Sequence, residues 1–100
     1  MVEQLYHRAS AILGFDLFEL CRTSPAEILQ QTQNAQPAIF VTSFAHWQMT
    51  KDYLPPSSFM AGLSLGEYTA LMAAGGFNFE EAVFLVQQRG LLMQLSLIHI

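Results

Sequence analysis

The pattern of apolar and polar residues along the chain predicts a mainly helical structure. Apolar side chains recur every three to four positions over residues 2–12, which predicts a first helix that Gly14 ends. A short helical turn is expected over residues 16–21. Residues 24–27 are Ser-Pro-Ala-Glu, which predicts the start of another helix: the serine would cap it, the proline would lie in its first turn, and the glutamate is at the capping-box position. This helix is expected to end near Thr32.

Capping residues also mark the later helices. Asn34 is expected to cap a longer helix, with Pro37 in its first turn, and a connecting loop follows over residues 53–58. Asn78 is expected to cap the last helix, because a glutamate follows it three residues later. The order along the chain is therefore several helices, a loop, and then a final helical part.

One segment favours a β-strand. The apolar run over residues 58–63 leads directly into a helix over residues 67–74, which the glycine pair at 75–76 ends. A strand without a partner leaves backbone N–H and C=O groups unsatisfied, so the rest of a sheet is expected outside this sequence. The sequence therefore predicts part of an α/β domain that is mainly helical, with one strand leading into a turn.

Composition and charge limit the class of protein. Of the 100 residues, 52% are hydrophobic and 12% are charged, which is typical of a folded chain with a core. The formal net charge of −4 provides no basic surface for nucleic acid or for anionic membranes. No apolar stretch is long enough to cross a bilayer, and the single Cys21 is expected to be an ordinary buried thiol in a reducing compartment. We therefore expect a soluble, cytoplasmic protein.

Residues 62–66 have the pattern Gly-x-Ser-x-Gly, with Ser64 at the centre. A serine at a sharp strand-to-helix turn projects its hydroxyl outward, and the helix behind it directs its positive end at a developing oxyanion. The two glycines are expected to remove side chains that would collide as strand and helix approach. The pattern alone also fits a serine in a structural turn, but the predicted strand before it and helix after it favour a nucleophile.

Arg89 is the second candidate for a functional residue. On a helical projection it lies on an apolar stripe with Ala82, Val86 and Met93, and Leu85 is nearby. A guanidinium in such a stripe is costly unless it has an anionic partner. That partner is either a substrate or an internal carboxylate, and a side chain that reaches past the core to water is a further alternative.

The sequence does not contain a complete catalytic set. His7 and His46 have no partner at a spacing that suggests a catalytic base, and His99 lies in a doubtful tail. No pair of carboxylates suggests a glycosidase, and no cluster of cysteine and histidine suggests a metal site. A serine hydroxyl without a base is barely nucleophilic at neutral pH, so the base for Ser64 is expected elsewhere.

Three segments of the chain carry a likeness to one family. They are residues 14–17 with 24–27, residues 32–38 (Thr-Gln-Asn-Ala-Gln-Pro-Ala), and residues 61–71 with the pair Arg89-Gly90. Over residues 11–94 the chain resembles malonyl-CoA:acyl carrier protein transacylases and the related acyltransferase domains of polyketide synthases. The third segment is the most specific, because in this family an arginine follows the serine by 25 residues, as Arg89 follows Ser64 here.

The resemblance implies a role for each candidate residue. Ser64 would attack the thioester of malonyl-CoA and become a malonyl ester, and the backbone N–H of Leu65 would donate to the oxyanion. Arg89 would bind the free carboxylate through two parallel hydrogen bonds. The phosphopantetheine thiol of an acyl carrier protein would then accept the malonyl group. The implied partners are thus malonyl-CoA, as substrate, and the carrier protein, with no cofactor and no metal.

The chain departs from the family pattern in several places. Leu63 stands where the family usually has histidine, which leaves fatty acid and polyketide synthesis both open. The family's opening strand with its loop rich in glycine and glutamine, and its downstream catalytic histidine, are not in this sequence. We expect residues 1–94 to be part of an acyltransferase domain, truncated at both ends and inactive alone. Residues 95–100 are expected to be a non-native, adaptor-derived tail.

Two other functions remain open beside the malonyltransferase. An acyl hydrolase or esterase on the same scaffold would release the acyl group to water, although it has no need of a carboxylate-binding Arg89. A non-catalytic helical fragment, in which the pattern around Ser64 is a coincidence, is the alternative outside enzymes. The prediction from the sequence is an acyltransferase of the [acyl-carrier-protein] S-malonyltransferase type.

Overall fold

The described part of the chain is a bundle of helices. A computed structural model describes residues 2–55, 61–62, 65–76 and 78–99, the last four by their backbone alone. The helices are α1 (Val2–Leu13), α2 (Leu17–Thr23), α3 (Ala26–Leu29), α4 (Thr32–Thr50), α5 (Leu65–Ala73) and α6 (Phe79–His99), and a 3₁₀ turn covers Lys51–Tyr53. The strand predicted over residues 58–63 lies outside the described residues except for Ala61 and Gly62, which belong to no regular element. Within the described ranges there is no strand.

The glycine predicted to end α1 is confirmed, and the structure shows in addition a cap at the start of α2. α1 ends at Gly14, whose φ of 86° lies in the left-handed region that favours glycine. Asp16 caps α2, because its side chain accepts a hydrogen bond from the backbone N–H of Glu19 at 3.1 Å. Ser10 links the two helices, since its Oγ accepts a hydrogen bond from the N–H of Leu17 at 2.9 Å.

The signals around α5 and α6 are confirmed as well. Gly75, with a φ of 85°, ends α5, and the N–H of Gly76 donates to the carbonyl of Leu71 at 2.7 Å. The Oδ1 of Asn78 accepts hydrogen bonds from the N–H groups of Glu80 at 2.9 Å and Glu81 at 3.3 Å. Asn78 therefore starts α6, as its position in the sequence predicts.

Two predicted helix starts are wrong. Ser24 ends α2 instead of starting α3, because its backbone N–H donates to the carbonyl of Leu20, and α3 is a turn of only 4 residues. Asn34 lies inside α4, which begins at Thr32, and its side chain donates to the carbonyl of Ile28 at 2.9 Å. Asn34 thus satisfies a carbonyl at the end of one helix instead of an N–H at the start of the next. Local spacing does not distinguish these two uses of a capping residue.

α4 lies at the centre of the packing, where it contacts α1, α5 and α6. Its buried face includes Phe40, Val41 and Phe44. Phe79, the first residue of α6, stacks on Phe40 and Phe44 with ring centroids 6.3 Å and 5.7 Å apart. Such aromatic pairs contribute about 0.5–1.5 kcal/mol beyond the burial of their area. The start of α6 is therefore held against the middle of α4.

Further along α6, Gly90 lets the two helix backbones come into contact. A Cβ on Gly90 would lie 2.5 Å from the carbonyl oxygen of Thr32 and 2.8 Å from the Cα of Gln33. The hydroxyl of Thr32 donates to the carbonyl of Gly90 at 2.5 Å, and its backbone N–H donates to Oε1 of Gln94 at 3.1 Å. The first turn of α4 is thus fixed to α6 at Gly90 and one turn beyond it.

We expect Gly90→Ala to destabilise the chain. Overpacking against backbone costs about 1–3 kcal/mol, whereas the better helix propensity of alanine returns about 1 kcal/mol. The net change in the free energy of unfolding, measured by urea denaturation, is expected to be a loss of about 1 kcal/mol. Gly66→Ala in α5 is the matched control, because a Cβ there would meet nothing within 4 Å among the described residues, and the alanine should stabilise the helix. A gain in stability for both variants would contradict the close contact.

An ion pair on the surface connects α1 to the start of α6. The Nε of Arg8 donates to Oε1 of Glu80 at 2.6 Å, and its Nη2 donates to Oε2 at 3.0 Å. The guanidinium also lies 4.8 Å from the ring centroid of Phe79. The hydrogen bond from Arg8 lowers the pKa of Glu80 below its ordinary value of 4.5, and the nearby positive charge acts in the same direction.

The stability that Glu80 contributes should therefore depend on pH. Because its pKa is lower in the folded chain than in the unfolded one, the contribution is complete at neutral pH and is lost as the pH falls below 4.5 through the folded pKa. We expect Glu80→Gln to cost about 0.2–1 kcal/mol at pH 7, as exposed ion pairs do, and almost nothing at pH 3. Glu81→Gln, in the same helical turn, is the control. A cost for Glu80→Gln that is the same at both pH values would contradict the pairing.

α6 is the longest helix described, with 21 residues. It continues to His99, so most of the segment 95–100 is helical, and the non-native origin of that segment stays a prediction. Neither α6 nor any other helix in the described ranges is long and apolar enough to cross a membrane.

Candidate functional site

Gly62 lies against the first turn of α5, within the stretch of sequence that carries the nucleophile pattern. A Cβ on Gly62 would clash with the carbonyl group of Gly66, and it would lie 2.7 Å from the backbone nitrogen of Glu67. α5 begins at Leu65. Leu63 and Ser64, which connect Gly62 to α5 in the sequence, lie outside the described residues. The flanking residues thus have the close approach that a Gly-x-Ser-x-Gly turn requires.

The two glycines of the pattern are not equivalent. Gly62 has backbone atoms of α5 where a side chain would be, whereas a Cβ on Gly66 would meet nothing within 4 Å among the described residues. The expectation that both glycines prevent a collision therefore holds for Gly62 alone in this part of the structure. Gly66 is the second residue of α5, and its lack of a side chain leaves the surface of the first turn open.

We expect Gly62→Ala to disrupt the first turn of α5. Its new methyl group would meet main-chain atoms, which cannot rotate away as a flexible side chain can. Amide hydrogen exchange across Leu65–Ala73 is expected to become at least about tenfold faster, equivalent to about 1.4 kcal/mol of local stability. Gly66→Ala should leave this exchange unchanged or slow it. Equal protection of α5 in the two variants would show that the turn tolerates a side chain at Gly62.

Arg89, on α6, contacts residues of α4 and α5, so its environment is not wholly apolar. Ala82 and Val86, which share its predicted stripe, are fully buried, but Leu85 and Met93 are exposed by 42% and 38%. The stripe is therefore half core and half open surface. Arg89 is half-buried at the boundary between them.

The guanidinium of Arg89 has partners on both neighbouring helices. Its Nη1 donates to Oε1 of Gln36 in α4 at 2.5 Å. Its Cζ lies 5.9 Å from the ring centroid of Tyr68 in α5, which is within the range of a cation–π contact. Tyr68 is the fourth residue of α5 and follows Ser64 by four positions in the sequence. The guanidinium of Arg89 thus lies next to α5, the helix that begins directly after Ser64 in the sequence.

Neither Gln36 nor Tyr68 is indicated as a functional residue by the sequence alone. Gln36 is exposed by only 7%, and its Nε2 donates to the sulfur of Met93 at 3.0 Å. A polar residue at the position before Pro37, on the buried face of α4, is the signal that could have indicated it. For Tyr68, no local pattern separates an aromatic residue that contacts Arg89 from one that fills the core.

The other candidate groups have ordinary surroundings. His7 and His46 are exposed, and no side chain is described for His99. Cys21 is half-buried and not buried as expected, and its partial burial raises the pKa of its thiol. Among the residues that the structure describes, no group of three or more histidine, cysteine, aspartate or glutamate side chains could hold a metal ion.

An open apolar groove of about 440 Å³ runs between α4 and α5 beside the turn. On the α4 side it is lined by Ile39, Ser43 and Trp47. On the other side it is lined by the residues next to the turn and along α5: Ala61, Gly62, Leu65, Gly66, Thr69, Ala70 and Ala73. Ile39 is exposed by 55% here. The groove therefore opens next to the residues that flank Ser64 in the sequence.

Comparison with known proteins identifies the family. Residues 3–98 match the acyl transferase domain. The malonyl CoA-acyl carrier protein transacylase of Salmonella typhimurium is 45% identical over 97 residues, which are 94% of this chain and 31% of that protein. An acyl carrier protein S-malonyltransferase structure from Vibrio cholerae has a TM-score of 0.86 and 44% identity, covering 93% of this chain and 31% of the other. A malonyl-transacylase in complex with a type II PKS acyl-carrier protein has a TM-score of 0.85 and 45% identity, covering 93% of this chain and 30% of its own.

The matches agree with the resemblance inferred from the residues. The chain spans only about 31% of the length of the relatives that it matches. Its structural neighbours are malonyltransferase domains, so the mainly helical bundle corresponds to one portion of such a domain. By the match over residues 3–98, the chain belongs to the acyl transferase domain family.

Proposed function

We propose that this chain forms the nucleophile-bearing part of an enzyme that transfers a malonyl group from malonyl-CoA to the phosphopantetheine thiol of an acyl carrier protein. The position of Arg89 is the observation that carries the proposal. Its guanidinium bonds to Gln36 and lies 5.9 Å from the ring of Tyr68, on the helix that follows Ser64. A cation beside the nucleophile turn is the group that an acyl chain with a free carboxylate needs.

In the first step, Ser64 takes the malonyl group from coenzyme A. Its Oγ attacks the thioester carbonyl carbon, the carbon–sulfur bond breaks, and coenzyme A leaves as a thiol with the proton from the serine hydroxyl. The resemblance implies that a histidine from another part of the domain transfers this proton. Leu65 is the first residue of α5, and the first N–H groups of a helix have no acceptor within it. The N–H of Leu65 therefore suits an oxyanion donor.

In the second step, the malonyl group leaves Ser64. The carrier protein's thiol attacks the ester carbonyl, the carbon–Oγ bond breaks, and the thiol proton returns to Ser64. Arg89 would hold the malonyl carboxylate in both steps, which selects malonyl over acetyl. The relative solved with its acyl-carrier protein supports a carrier as the partner here. The proposal places the reaction in the cytoplasm, the compartment that suits the unpaired Cys21.

A domain swap tests this function. Residues 3–94 of this chain, without the tail expected to be non-native, would replace the matching segment of the Vibrio cholerae enzyme, giving a chimaera with a complete domain. We expect the chimaera to transfer malonyl from malonyl-CoA to holo acyl carrier protein, measured by mass spectrometry of the carrier. The 100-residue chain alone is expected to be inactive, because the implied base is elsewhere.

The same assay separates the alternatives. Release of free malonate without transfer to the carrier would favour the hydrolase, and no covalent acyl group under any condition would favour a non-catalytic segment. Equal transfer of acetyl and malonyl groups would remove Arg89 as the carboxylate-binding residue. The unmodified Vibrio cholerae protein is the control for the assay and for its carrier protein.

A further inference from the structure

We infer that Gln36 is the positioning residue for Arg89, and that its neutral amide orients the guanidinium toward a substrate carboxylate without placing a negative charge beside it. The inference rests on the proposed function, because it gives Gln36 a part in selecting malonyl groups. Three observations carry it: the burial of Gln36, the two bonds of its amide, and the place of α4 between the other helices.

The amide of Gln36 is buried and held at both ends. Its side chain lies in the interface of α4 with α6, and the residue is exposed by only 7%. Oε1 accepts from Nη1 of Arg89 at 2.5 Å, and Nε2 donates to the sulfur of Met93 at 3.0 Å. Because a guanidinium only donates and a thioether only accepts, the oxygen of the amide must face Arg89. The direction of the amide is therefore determined by its surroundings.

The neutral amide of Gln36 can position the guanidinium of Arg89 without adding a negative charge next to it. The carbonyl oxygen of Gln36 accepts one hydrogen bond and leaves the positive charge uncompensated by that contact. A guanidinium has five N–H donors, so the same group can bond Gln36 and both oxygens of a carboxylate. A glutamate at this position would form an internal ion pair with Arg89 and compete with the substrate. Glutamine therefore positions the cation without neutralising it.

The position of Gln36 in the fold makes this contact rigid. Gln36 lies one helical turn after Thr32, whose hydroxyl and backbone N–H bond α6 at Gly90 and Gln94. Met93, the other partner of Gln36, is on α6 one turn after Arg89. These bonds join α4 and α6 on one side of the Gln36–Arg89 bond, and the stacking of Phe79 on Phe40 joins them on the other. The guanidinium therefore bonds to a residue of α4 at a place where several contacts fix α4 to α6.

Selectivity in the chimaera tests the inference. We expect Gln36→Met, which keeps the volume and loses both polar atoms, to lower the ratio of malonyl to acetyl transfer by about tenfold. Gln36→Glu is expected to lower this ratio by about a hundredfold, because the internal ion pair excludes the substrate carboxylate. Gln48→Met and Gln48→Glu, on the same helix, are the matched controls. The ratio does not depend on how much of each variant is folded.

A purely structural role predicts a different result. If Gln36 only fills space, its variants will lower malonyl and acetyl transfer by the same factor, and the inference is wrong. Adding Gln36→Met to Arg89→Gln should leave the ratio where Arg89→Gln alone puts it, since the positioned group is gone. A further fall in the ratio would also overturn the inference.

A second measurement does not need turnover. In crystal structures of the chimaera, we expect the bond between Arg89 and Gln36 in the unsubstituted protein and a displaced guanidinium in Gln36→Met. A guanidinium in the same place in both would overturn the inference even if the enzyme is active. A chimaera that transfers no malonyl while Arg89 moves as expected would instead overturn the proposed function and support the positioning role.

Discussion

Replacing Ser64 by alanine in the chimaera is expected to abolish covalent malonylation and to reduce malonyl transfer by about 10⁴-fold or more. Removal of a nucleophile leaves only substrate binding and oxyanion stabilisation, and these alone give a small part of the rate. Mass spectrometry of the intact protein after malonyl-CoA treatment should show one added malonyl group in the chimaera and none in the variant.

Two controls make this result specific to Ser64. Ser24→Ala, at the end of α2, changes the same residue type away from the nucleophile turn and should leave labelling unchanged. Peptide mapping should place the added group on Ser64. Labelling that persists in Ser64→Ala, or that maps to another residue, would show that the Gly-x-Ser-x-Gly pattern is a structural turn in this chain.

Replacing Arg89 by glutamine is the second large change. We expect malonyl transfer to fall by about 10²- to 10³-fold, because two charge-assisted hydrogen bonds to the carboxylate are lost. Acetyl transfer should stay the same or rise, since acetyl has no carboxylate to bind. Steady-state rates with both acyl-CoA substrates measure the two effects together.

A variant of Arg22 and a conservative substitution of Arg89 complete this test. Arg22→Gln removes an exposed guanidinium that pairs with Glu19 on α2, and it should change neither rate. Arg89→Lys keeps the charge but loses the planar pair of donors, so we expect an intermediate rate with malonyl. If Arg89→Gln lowers both rates equally, the residue supports the fold and does not bind the carboxylate.

The elements that the sequence predicts best are those whose signals act within one turn of helix. Gly14, Gly75 and Asn78 each end or begin a helix as predicted, because a positive φ or a side-chain cap is a local requirement. Ser24 and Asn34 show the limit of such signals. Both can serve the end of one helix or the start of the next, and the choice depends on how α2, α3 and α4 are placed in space.

The chemistry of the candidate site can be proposed from the sequence, whereas the contacts that support Arg89 cannot. Ser64 and Arg89 belong to a pattern with fixed spacing, so the sequence alone suggests a nucleophile and a carboxylate-binding residue. Gln36 is separated from Arg89 by more than fifty positions, and their bond exists only because α4 packs on α6. A glutamine in a helix gives no sign of its partner. The contact therefore required the tertiary structure.

The contact of Gly90 with the backbone of Thr32 has a consequence for how this segment can vary in length. A helix turns by about 100° for each residue, so one inserted residue between Asn78 and Arg89 would rotate the guanidinium away from Gln36. The same insertion would carry a side chain into the space that Gly90 now leaves for Thr32. Substitutions on the outer face of α6 change neither relation. We expect this helix to tolerate many substitutions but no insertion or deletion between Asn78 and Gly90. The cap, the cation and the glycine must keep their spacing, because all three belong to one rigid helix.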